Sequence, residues 1–329
     1  MEIRILSSDD VRKALPMKEA IYGMKRAFSS LSSGNVEMPL RSQVPINEQD
    51  GVLLTMPAAI TDDGDLAVKI VTVFGKNPGR GLPLIHAALI ALDINSGKIK
   101  SIMDGEVLTT VRTGAAVGAA TDILAKEDAS IVAVIGSSKL AQSQMEAVCT
   151  VRNISQVRVF SPNTEHAQKC AEEMSGKYLL PDNIRAVSSS KIAVENADIV
   201  CTATTSTKPV IAFENLKKSA HINAVGSFKP EMQEIDAETI MNALVFVDSR
   251  ESVLAEAGDI VIPIKQGLIS EDHIHAEIGE LINGKKAGRT SNEKITLFKS
   301  CGVAVQDAVS ASIVLKNARS KNLGTLAQI

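Results

Sequence analysis

A run of five apolar residues, 131–135, leads directly into Gly136 and constrains the fold more than any other feature of the chain. Most of these residues are β-branched, and the segment 138–148 that follows is compatible with a helix. The pattern predicts a buried parallel strand that turns tightly into a helix. At such a turn the unpaired N–H groups and the positive end of the helix dipole can bind a pyrophosphate, and a glycine lets the backbone come close.

This turn matches the dinucleotide-binding fingerprint Gly-x-Gly-x-x-Gly/Ala only in part. Ser138 occupies the position of the second glycine, and Ala141 occupies that of the third. An ordinary strand-to-helix turn of an α/β domain is therefore an alternative to a nucleotide site, and the context has to decide between them.

The next apolar strand, residues 157–160, ends in Ser161 and Asn163, where a dinucleotide-binding unit presents its ribose-contacting residue. An acidic side chain there would bind the adenosine 2′-hydroxyl and repel a 2′-phosphate, but this chain has none. Ser161 and Asn163 can donate to a phosphate, and Lys139 or Arg158 can add charge, so the sequence is compatible with NADPH as well as NADH. Alternatively, the segment is only a turn and selects neither cofactor.

Two further apolar strands, residues 197–203 and 220–225, also end in small polar residues. Thr204 and Thr205 follow the first, and Gly226 follows the second. Ligands of open α/β sheets bind outside the carboxyl ends of the strands. Four such units in series predict an α/β protein with a Rossmann-type, doubly wound dinucleotide-binding domain.

Composition bounds the remaining functions. With 329 residues and 45% hydrophobic content, the chain is long enough for about two domains. A net charge of −3 and 3% aromatic residues argue against binding to nucleic acid. No apolar run reaches transmembrane length, and the first ten residues do not resemble a signal peptide. We therefore expect a cytoplasmic protein without a membrane partner.

Neither cysteines nor histidines predict a metal site. The four cysteines form no Cys-x-x-Cys pair and lie in apolar segments, which is typical of core residues. His273 and His275 are two residues apart, with no third ligand at a telling spacing. His86 lies in an apolar strand and is interpreted as an interior histidine rather than a base.

The N-terminal part of the chain has no dinucleotide pattern and predicts an α+β unit. Helices are predicted to start at the Ser8 segment, at Pro16 and near Thr109, and the last one is predicted to run past Ala120. The final helix, residues 304–318, is expected to return to this first unit. The predicted strands cover residues 53–57, 66–74, 84–92, 99–103 and 295–298.

Three cations interrupt apolar or tightly packed segments of the first unit: Arg41, Lys69 and Arg112. Lys69 lies inside an apolar strand, where an unpaired ammonium is costly to bury, so it requires a ligand or a carboxylate partner. Each cation can alternatively be a surface residue whose stem alone is buried. Together, the three can bind a small carboxylate.

Seven sequence blocks match one protein family over essentially the full length of the chain. On these residues the chain resembles the ornithine cyclodeaminase/µ-crystallin family. The blocks are Met38-Pro-x-Arg41, Val68-Lys69, Asn77-Pro-x-x-Gly-Leu-Pro83, Leu108-Thr-x-x-Arg-Thr-Gly-Ala115, His221-Ile-Asn-Ala-Val-Gly226, His275-Ala-Glu-Ile-Gly-Glu280 and Ile295-Thr-Leu-Phe298.

The resemblance implies a homodimer with two domains in each subunit. Residues 1–114 with 304–329 would form the α+β substrate and dimerisation domain, which the C-terminal helix completes, and residues 115–303 would form the Rossmann domain. By the same resemblance, Arg41, Lys69 and Arg112 surround the substrate. The cofactor would be NADPH or NADH, bound by Thr113, Gly136, Ser137, Ser138, Leu140, Ala141, Ser161, Asn163, Ala203, Thr204, Thr205, Val225, Gly226 and Ser300.

Two departures from the cyclodeaminases of this family argue against ornithine as the substrate. Phe228 occupies the position of the aspartate that holds the substrate's terminal ammonium, and a phenyl ring cannot accept that charge. Met56 lies near the position of a glutamate. An apolar pocket of this kind resembles that of the imine reductases in the family. The expected activity is therefore NAD(P)H-dependent reduction of Δ1-pyrroline-2-carboxylate or Δ1-piperideine-2-carboxylate to L-proline or L-pipecolate.

In this hypothesis Arg41 and Arg112 bind the substrate carboxylate, and Phe228 lines the substrate site. Lys69 is the catalytic residue that supplies a proton to the imine, with a pKa lowered by two arginines and burial. Asp307 either orients Lys69 or Arg112, or serves the dimer interface or a helix cap. The alternatives are an alanine dehydrogenase, an ornithine cyclodeaminase, or an NADP-dependent binding protein of the µ-crystallin kind.

Overall fold

The structure, a computed structural model, describes all residues from Met1 to Ile329. Its first elements are β1 (Glu2–Leu6), α1 (Ser8–Ala14), α2 (Met17–Ser32), β2 (Ser42–Ile46), β3 (Gly51–Ile60), β4 (Asp65–Phe74), β5 (Ile85–Leu92), β6 (Ile99–Asp104) and α3 (Gly105–Leu124). They are followed by β7 (Ile131–Ile135), α4 (Lys139–Val151), β8 (Gln156–Phe160), α5 (Thr164–Met174), β9 (Ile184–Ala186), α6 (Ser190–Val194), β10 (Ile199–Thr202) and β11 (His221–Ala224). The last are α7 (Ala237–Asn242), β12 (Leu244–Val247), α8 (Arg250–Glu256), α9 (Gly258–Lys265), β13 (Ile274–Glu277), α10 (Ile278–Ile282), β14 (Thr296–Lys299), α11 (Ala304–Ser320) and β15 (Thr325–Gln328).

The chain divides into two compact units. Unit 1 comprises Met1–Arg112 and Val303–Ile329, and unit 2 comprises Thr113–Gly302. The boundary falls inside α3, so one continuous helix belongs to both units. None of the helices is long and apolar enough to cross a membrane.

Unit 1 is built on a seven-stranded sheet in the order β15-β1-β6-β5-β4-β3-β2. All neighbouring strands are antiparallel except β1 and β6. Helix α11 packs on α2 and on strands β3 to β5. Because side chains alternate between the two faces of a strand, every second residue is buried in one part of each of these strands, at positions 56, 58 and 60 of β3, 65, 67 and 69 of β4, and 89 and 91 of β5.

The other face of this sheet carries exposed residues. Ile70 lies next to Lys69 but points to the opposite face, and its side chain is 38% exposed. His86 shares that face because it pairs with Thr72 in the register of β4 and β5, and it is exposed. The interpretation of His86 as an interior histidine was therefore wrong, since an apolar strand sequence does not reveal which face is covered.

Unit 2 is an eight-stranded, fully parallel sheet in the order β13-β12-β14-β11-β10-β7-β8-β9. The strand order reverses between β7 and β10, which makes this position the topological switch point of a doubly wound sheet. Alternate residues of β7 enter different cores, with Ala133 and Ile135 on one face and Val132 and Val134 on the other. The Rossmann-type α/β class predicted from the sequence is thus confirmed.

Several boundaries differ from those predicted. Helix α3 begins at Gly105 rather than near Thr109, because the Asp104 carboxylate accepts a hydrogen bond from the backbone N–H of Val107 and caps the helix. Helix α1 is capped by Ser7, one residue before the predicted segment. Cys149, Cys170 and Cys201 are buried as predicted, whereas Cys301 is only partly buried. The strands that the sequence did not predict are β1, β2, β9, β12, β13 and β15.

Candidate functional site

Lys69 lies in the middle of the covered face of the unit 1 sheet. In the strand register it is opposite Met56 on β3 and Leu89 on β5, so these three side chains form a row on one face. The three residues are 3%, 4% and 0% exposed. Lys69 therefore lies between two buried apolar side chains, and its ammonium needs a compensating charge.

Asp307, in the first turn of α11, supplies that charge. Its Oδ2 atom is 2.7 Å from Nζ of Lys69, and its Oδ1 atom accepts a 2.9 Å hydrogen bond from Nε of Arg112. The exposed fractions of Arg112 and Asp307 are 4% and 1%. A single buried carboxylate thus bridges two of the three cations that the sequence identified, and this triad is complete within unit 1.

Gln306 adds a second contact to Arg112. Its Oε1 atom accepts hydrogen bonds from Nη1 of Arg112 at 3.0 Å and from the backbone N–H of Val303 at 2.8 Å. The carboxamide therefore links the guanidinium to the start of α11. Sequence reasoning missed Gln306, although a polar pair, Gln306 and Asp307, inside an apolar helix was a signal for it.

The electrostatics of the triad depend on burial. Burial, together with the charges of Arg112 and Arg41, lowers the pKa of Lys69 to about 8, although the charge of Asp307 acts in the opposite direction. For Asp307, burial raises the pKa, but the charges of Arg112 and Lys69 outweigh it and bring the pKa below its ordinary value. Asp307 is ionised, and Lys69 can exchange its proton near neutral pH.

The cluster has an excess of positive charge. Lys69 and Arg112 carry two positive charges against the single negative charge of Asp307. Arg41 is close enough to affect the pKa of Lys69 and is itself partly exposed. A small anion such as a carboxylate would balance this excess, and arginine binds carboxylates in a bidentate manner.

The residues predicted to bind a cofactor lie mostly at one edge of the unit 2 sheet. Because all strands are parallel, their carboxyl ends share that edge. Thr113 is the exception, since it lies in α3 and is partly buried. The others follow their strands in the order Gly136, Ser137, Ser138, Leu140 and Ala141 after β7, Ser161 and Asn163 after β8, Ala203, Thr204 and Thr205 after β10, Val225 and Gly226 after β11, and Ser300 after β14.

The turn after β7 has the geometry of a phosphate-binding turn. Gly136 has φ +121°, and a Cβ atom there would lie 2.6 Å from the carbonyl oxygen of Ala203, so a larger residue is excluded. Ser138 is the N-cap of α4 and accepts a hydrogen bond from the backbone N–H of Ala141. Serine at the position of the second glycine is therefore compatible with this turn, because it caps the helix whose first N–H groups lack partners within the helix.

The residues considered for a 2′-phosphate are occupied in other ways. Asn163 is the N-cap of α5, where its Oδ1 atom accepts a hydrogen bond from the backbone N–H of His166. The Arg158 guanidinium donates to the carbonyl oxygens of Ile192 and Glu195 and holds α6. Lys139 is 3.2 Å from Oε1 of Gln142. The Arg158 guanidinium is thus bound to backbone carbonyl groups at α6, so its role as a phosphate partner is less compatible with the structure.

Ser300, Phe228 and His221 are the remaining residues that the sequence analysis named, and the structure shows their hydrogen bonds and burial. The Ser300 hydroxyl donates to Oδ2 of Asp248 at 2.7 Å, and the backbone N–H of Gly302 donates to the same atom at 2.8 Å. Burial raises the pKa of Asp248, against the effect of these hydrogen bonds. Phe228 is partly buried in the loop after β11. His221 is fully buried between Thr296 and Asn223, and burial lowers its pKa to about 3, which excludes it as a base near neutrality.

Comparison with known proteins assigns the chain to a family. The model of the ornithine cyclodeaminase/mu-crystallin family matches residues 1–322. The chain belongs to this family. The resemblance inferred from the seven sequence blocks is therefore confirmed.

Members of this family with known activities are similar over the whole chain. A Delta(1)-pyrroline-2-carboxylate reductase of Bacillus cereus is 36% identical over 321 residues, which is 97% of this chain and 98% of the relative. The Delta(1)-pyrroline-2-carboxylate reductase of Thermococcus litoralis, solved with NADH and L-proline, has a TM-score of 0.94 and 40% identity, covering 98% of this chain and 99% of that chain. An archaeal alanine dehydrogenase dimer with bound NAD has a TM-score of 0.93 and 33% identity, covering 100% of both chains.

Proposed function

We propose that this protein is an oxidoreductase that reduces a cyclic imino acid, Δ1-pyrroline-2-carboxylate or Δ1-piperideine-2-carboxylate, to L-proline or L-pipecolate with a nicotinamide cofactor. The observation that carries this proposal is the buried triad of Lys69, Asp307 and Arg112. It combines an excess positive charge for the substrate carboxylate with a proton donor of pKa about 8. The reductases of Bacillus cereus and Thermococcus litoralis, which are similar over almost the full chain, support the same reaction.

The unit 2 edge fits a dinucleotide. The close approach of Gly136 to the end of β10 leaves no room for a Cβ atom, and the first turn of α4 offers backbone N–H groups for a pyrophosphate. The NADH and NAD bound to two similar structures support this assignment. The reduced nicotinamide, when bound, supplies the hydride for the carbon of the C=N bond.

The chain's own residues would act on the substrate as follows. Arg41 and Arg112 hold the carboxylate, which orients the imine carbon. Lys69 transfers a proton from its Nζ atom to the imine nitrogen, so that the double bond gains one hydride at carbon and one proton at nitrogen. Asp307 keeps the Lys69 ammonium in place and opposes the lowering of its pKa by Arg112.

The pKa of Lys69 predicts the pH dependence of the reaction. Imine reduction needs the protonated amine, whose fraction falls above a pKa of about 8. We therefore expect kcat/KM for the imine to be level below that pH and to fall by about tenfold per pH unit above it. Oxidation of L-proline needs Lys69 as the neutral amine, so kcat/KM for L-proline should increase over the same pH range. Steady-state rates in both directions between about pH 6 and 10 measure this, and parallel profiles in the two directions would contradict the assignment.

A substrate panel tests the proposed reaction directly. The purified protein is assayed with NADPH and NADH on pyrroline-2-carboxylate, piperideine-2-carboxylate, pyruvate with ammonia, and L-ornithine. We expect turnover of one or both cyclic imines. Activity confined to pyruvate with ammonia, or to ornithine, would reject the proposal.

Alanine dehydrogenase is the second candidate, because the archaeal enzyme is 33% identical over the full chain. The same triad can hold the carboxylate of pyruvate, and Lys69 can protonate an open-chain imine. The panel separates the two reactions, since ammonia is required only for reductive amination. A protein that binds nucleotide without turnover is the alternative from another class, and turnover of any substrate in the panel separates an enzyme from it.

We also propose that the protein forms a homodimer through unit 1. The uncovered face of its sheet carries Val44, Ile46 and Ile70, which are 51%, 37% and 38% exposed. Exposed apolar residues on one face typically mark an interface. The related alanine dehydrogenase is a dimer. A sedimentation mass near twice 34.9 kDa is expected, and a monomer at assay concentrations would contradict this.

A further inference from the structure

Glu234 is a fully buried carboxylate that the proposed reaction does not use. Its Oε2 atom accepts hydrogen bonds from the Thr202 hydroxyl at 2.9 Å and from the backbone N–H groups of Gly226 at 2.7 Å and Ser227 at 3.2 Å. Its Oε1 atom accepts from the backbone N–H of Thr204 at 2.7 Å. One side chain thus joins the loops that follow the neighbouring strands β10 and β11.

The two loops are in direct contact where Glu234 joins them. A Cβ atom at Gly226 would lie 2.3 Å from the carbonyl oxygen of Thr204 and 2.4 Å from Oε1 of Glu234. No residue larger than glycine fits there without displacing one of the loops. The relative position of the two loops therefore depends on the carboxylate between them.

A second layer of buried charge fixes Glu234 itself. The Oδ1 atom of Asp259 accepts hydrogen bonds from the backbone N–H groups of Glu234 and Ile235 at 2.7 and 2.9 Å. Its Oδ2 atom pairs with Nζ of Lys299 at 3.0 Å, and this ammonium also donates to the carbonyl oxygen of Ser227 at 2.5 Å. Lys299 ends β14, so the network reaches the ends of three adjacent strands.

The network carries a net negative charge when Glu234 is ionised. Glu234 and Asp259 then contribute two negative charges and Lys299 one positive charge, and the three side chains are 0% exposed. Burial raises the pKa of the Glu234 carboxyl, whereas the charge of Lys299 and the hydrogen bonds from Thr204 and Thr202 act in the opposite direction. Three backbone N–H groups point at the Glu234 oxygens, and such donors favour the ionised carboxylate. An uncompensated negative charge in a buried site attracts a cation nearby.

We infer that Glu234 is a positioning residue for the nicotinamide half of the cofactor site: it fixes the loops after β10 and β11, and its charge favours the oxidised, positively charged ring. This inference rests on the proposed function and on the family resemblance, which implies that Val225 and Gly226 lie near the nicotinamide. The pyrophosphate and adenosine halves would bind at the turns after β7 and β8, whereas the hydrogen bonds of the Glu234 carboxylate go to residues at the ends of β10 and β11.

Replacing Glu234 with glutamine tests this inference. The glutamine keeps the size of the side chain, but its NH2 group would face backbone N–H donors and push one loop away. We expect the affinity for NADH to fall by at least about tenfold, because charge-assisted hydrogen bonds are lost. The affinity for ADP-ribose, which lacks the nicotinamide, should stay within about twofold of the parent. Tryptophan is absent from this chain, so the fluorescence of bound NADH, with displacement by ADP-ribose, gives both constants without turnover.

The effect of the Glu234 charge is measured separately, by comparing the affinities for NAD⁺ and NADH. The nicotinamide ring of NAD⁺ is positive and that of NADH is neutral, so loss of the carboxylate charge should weaken NAD⁺ more than NADH. We expect the dissociation constant for NAD⁺ divided by that for NADH to rise by about threefold or more in Glu234→Gln. A purely structural defect would weaken both forms and ADP-ribose to the same extent.

Two further variants complete the experiment. Glu231→Gln removes an exposed carboxylate from the same loop and should bind all three ligands as the parent does. Thr202→Val removes one hydroxyl donor to Glu234 in a nearly unchanged shape and should weaken NADH about threefold without affecting ADP-ribose. If Glu234→Gln does not fold, the dissociation constants of Thr202→Val for NADH and for ADP-ribose decide whether Glu234 positions the two loops.

The outcomes separate the inference from the proposed function. If the parent enzyme reduces imines and the ratios of the ligand dissociation constants in the variants equal those of the parent, the role of Glu234 is overturned and the proposed reaction is not. A parent enzyme that binds NADH but reduces no imine overturns the proposed reaction, while the ligand ratios still decide the role of Glu234. Equal weakening of NADH and ADP-ribose also overturns the inference.

Discussion

Replacing Lys69 with methionine should lower kcat for imine reduction by about 10²–10⁴-fold, the usual contribution of a positioned proton donor. NADH binding should be unchanged, since Lys69 belongs to unit 1 and the predicted nucleotide residues after β7 to β14 belong to unit 2. Single-turnover rates and NADH fluorescence titration measure the two effects. Parental rates of imine reduction in Lys69→Met would mean that Lys69 has no chemical role.

The methionine variant should also fold. Lys69 lies in a row with Met56 and Leu89, where an unbranched apolar side chain of similar length fits. The substitution leaves Asp307 paired with Arg112 and so creates no isolated buried charge. Lys100→Met is a matched control, because Lys100 lies on β6 of the same sheet and pairs at the surface with Asp93. It should retain parental kcat.

Lys69→Arg separates the charge of this residue from its proton. Arginine keeps the positive charge but does not release a proton near neutral pH. If Lys69 acts only as a charge, the arginine variant should recover a large part of the activity that methionine loses. We expect it to remain as slow as Lys69→Met, and its kcat/KM should show no decline above about pH 8 of the kind assigned to Lys69.

The sequence predicted the parallel sheet of unit 2 because its central strands are buried on both faces. Strands β7 and β10 therefore consist almost entirely of apolar residues and are followed by small residues. Strand β2 was not predicted, since it is short, contains Pro45 and has all five of its residues exposed. Strand β15 likewise lies at the edge of the sheet, where it pairs with β1. Edge strands of this kind depend on partners that the local sequence does not reveal.

The site was predictable only where a residue contradicted its local pattern. Lys69 interrupts an apolar strand, and burial of its ammonium requires a partner. The sequence therefore identified Lys69 and predicted that it has a ligand or a carboxylate partner. It did not decide that Asp307, far along the chain in the last helix, is that partner, and a capping or interface role was equally compatible. Glu234 was missed because a loop carboxylate carries no periodic signal. Its proposed role comes from four donors, of which Thr202 and Thr204 lie at the end of β10 and Gly226 and Ser227 directly after β11.

Replacing Asp307 with asparagine should destabilise the protein more than any other single change in the triad. The substitution leaves the Lys69 ammonium and the Arg112 guanidinium buried side by side without a negative charge. Removing one partner of a buried ion pair typically costs about 3–5 kcal/mol, because the remaining charge is left uncompensated. Chemical denaturation of the parent and the variant at about pH 7 measures the difference in the free energy of unfolding.

Asp63→Asn is the matched control for this loss. Asp63 also pairs with an arginine, Nη1 of Arg26 at 2.6 Å, but its side chain is 35% exposed. Surface ion pairs contribute about 0–1 kcal/mol, so the control should unfold almost as the parent does. A loss of stability in Asp307→Asn no larger than in Asp63→Asn would contradict the central role of this carboxylate.

The pH dependence of Asp307→Asn distinguishes lost charge from lost packing. Asp307 raises the pKa of Lys69, so without it the pKa in the folded variant should lie below its parental value of about 8, while the unfolded value stays near 10.5. Between these two values the unfolded chain binds more protons than the folded one, and stability therefore increases with pH. The variant should regain part of its stability from about pH 7 upward, over a wider range than the parent. Its kcat/KM for imine reduction should begin to fall at a lower pH, whereas a packing defect would lower stability equally at every pH and leave the rate profile in place.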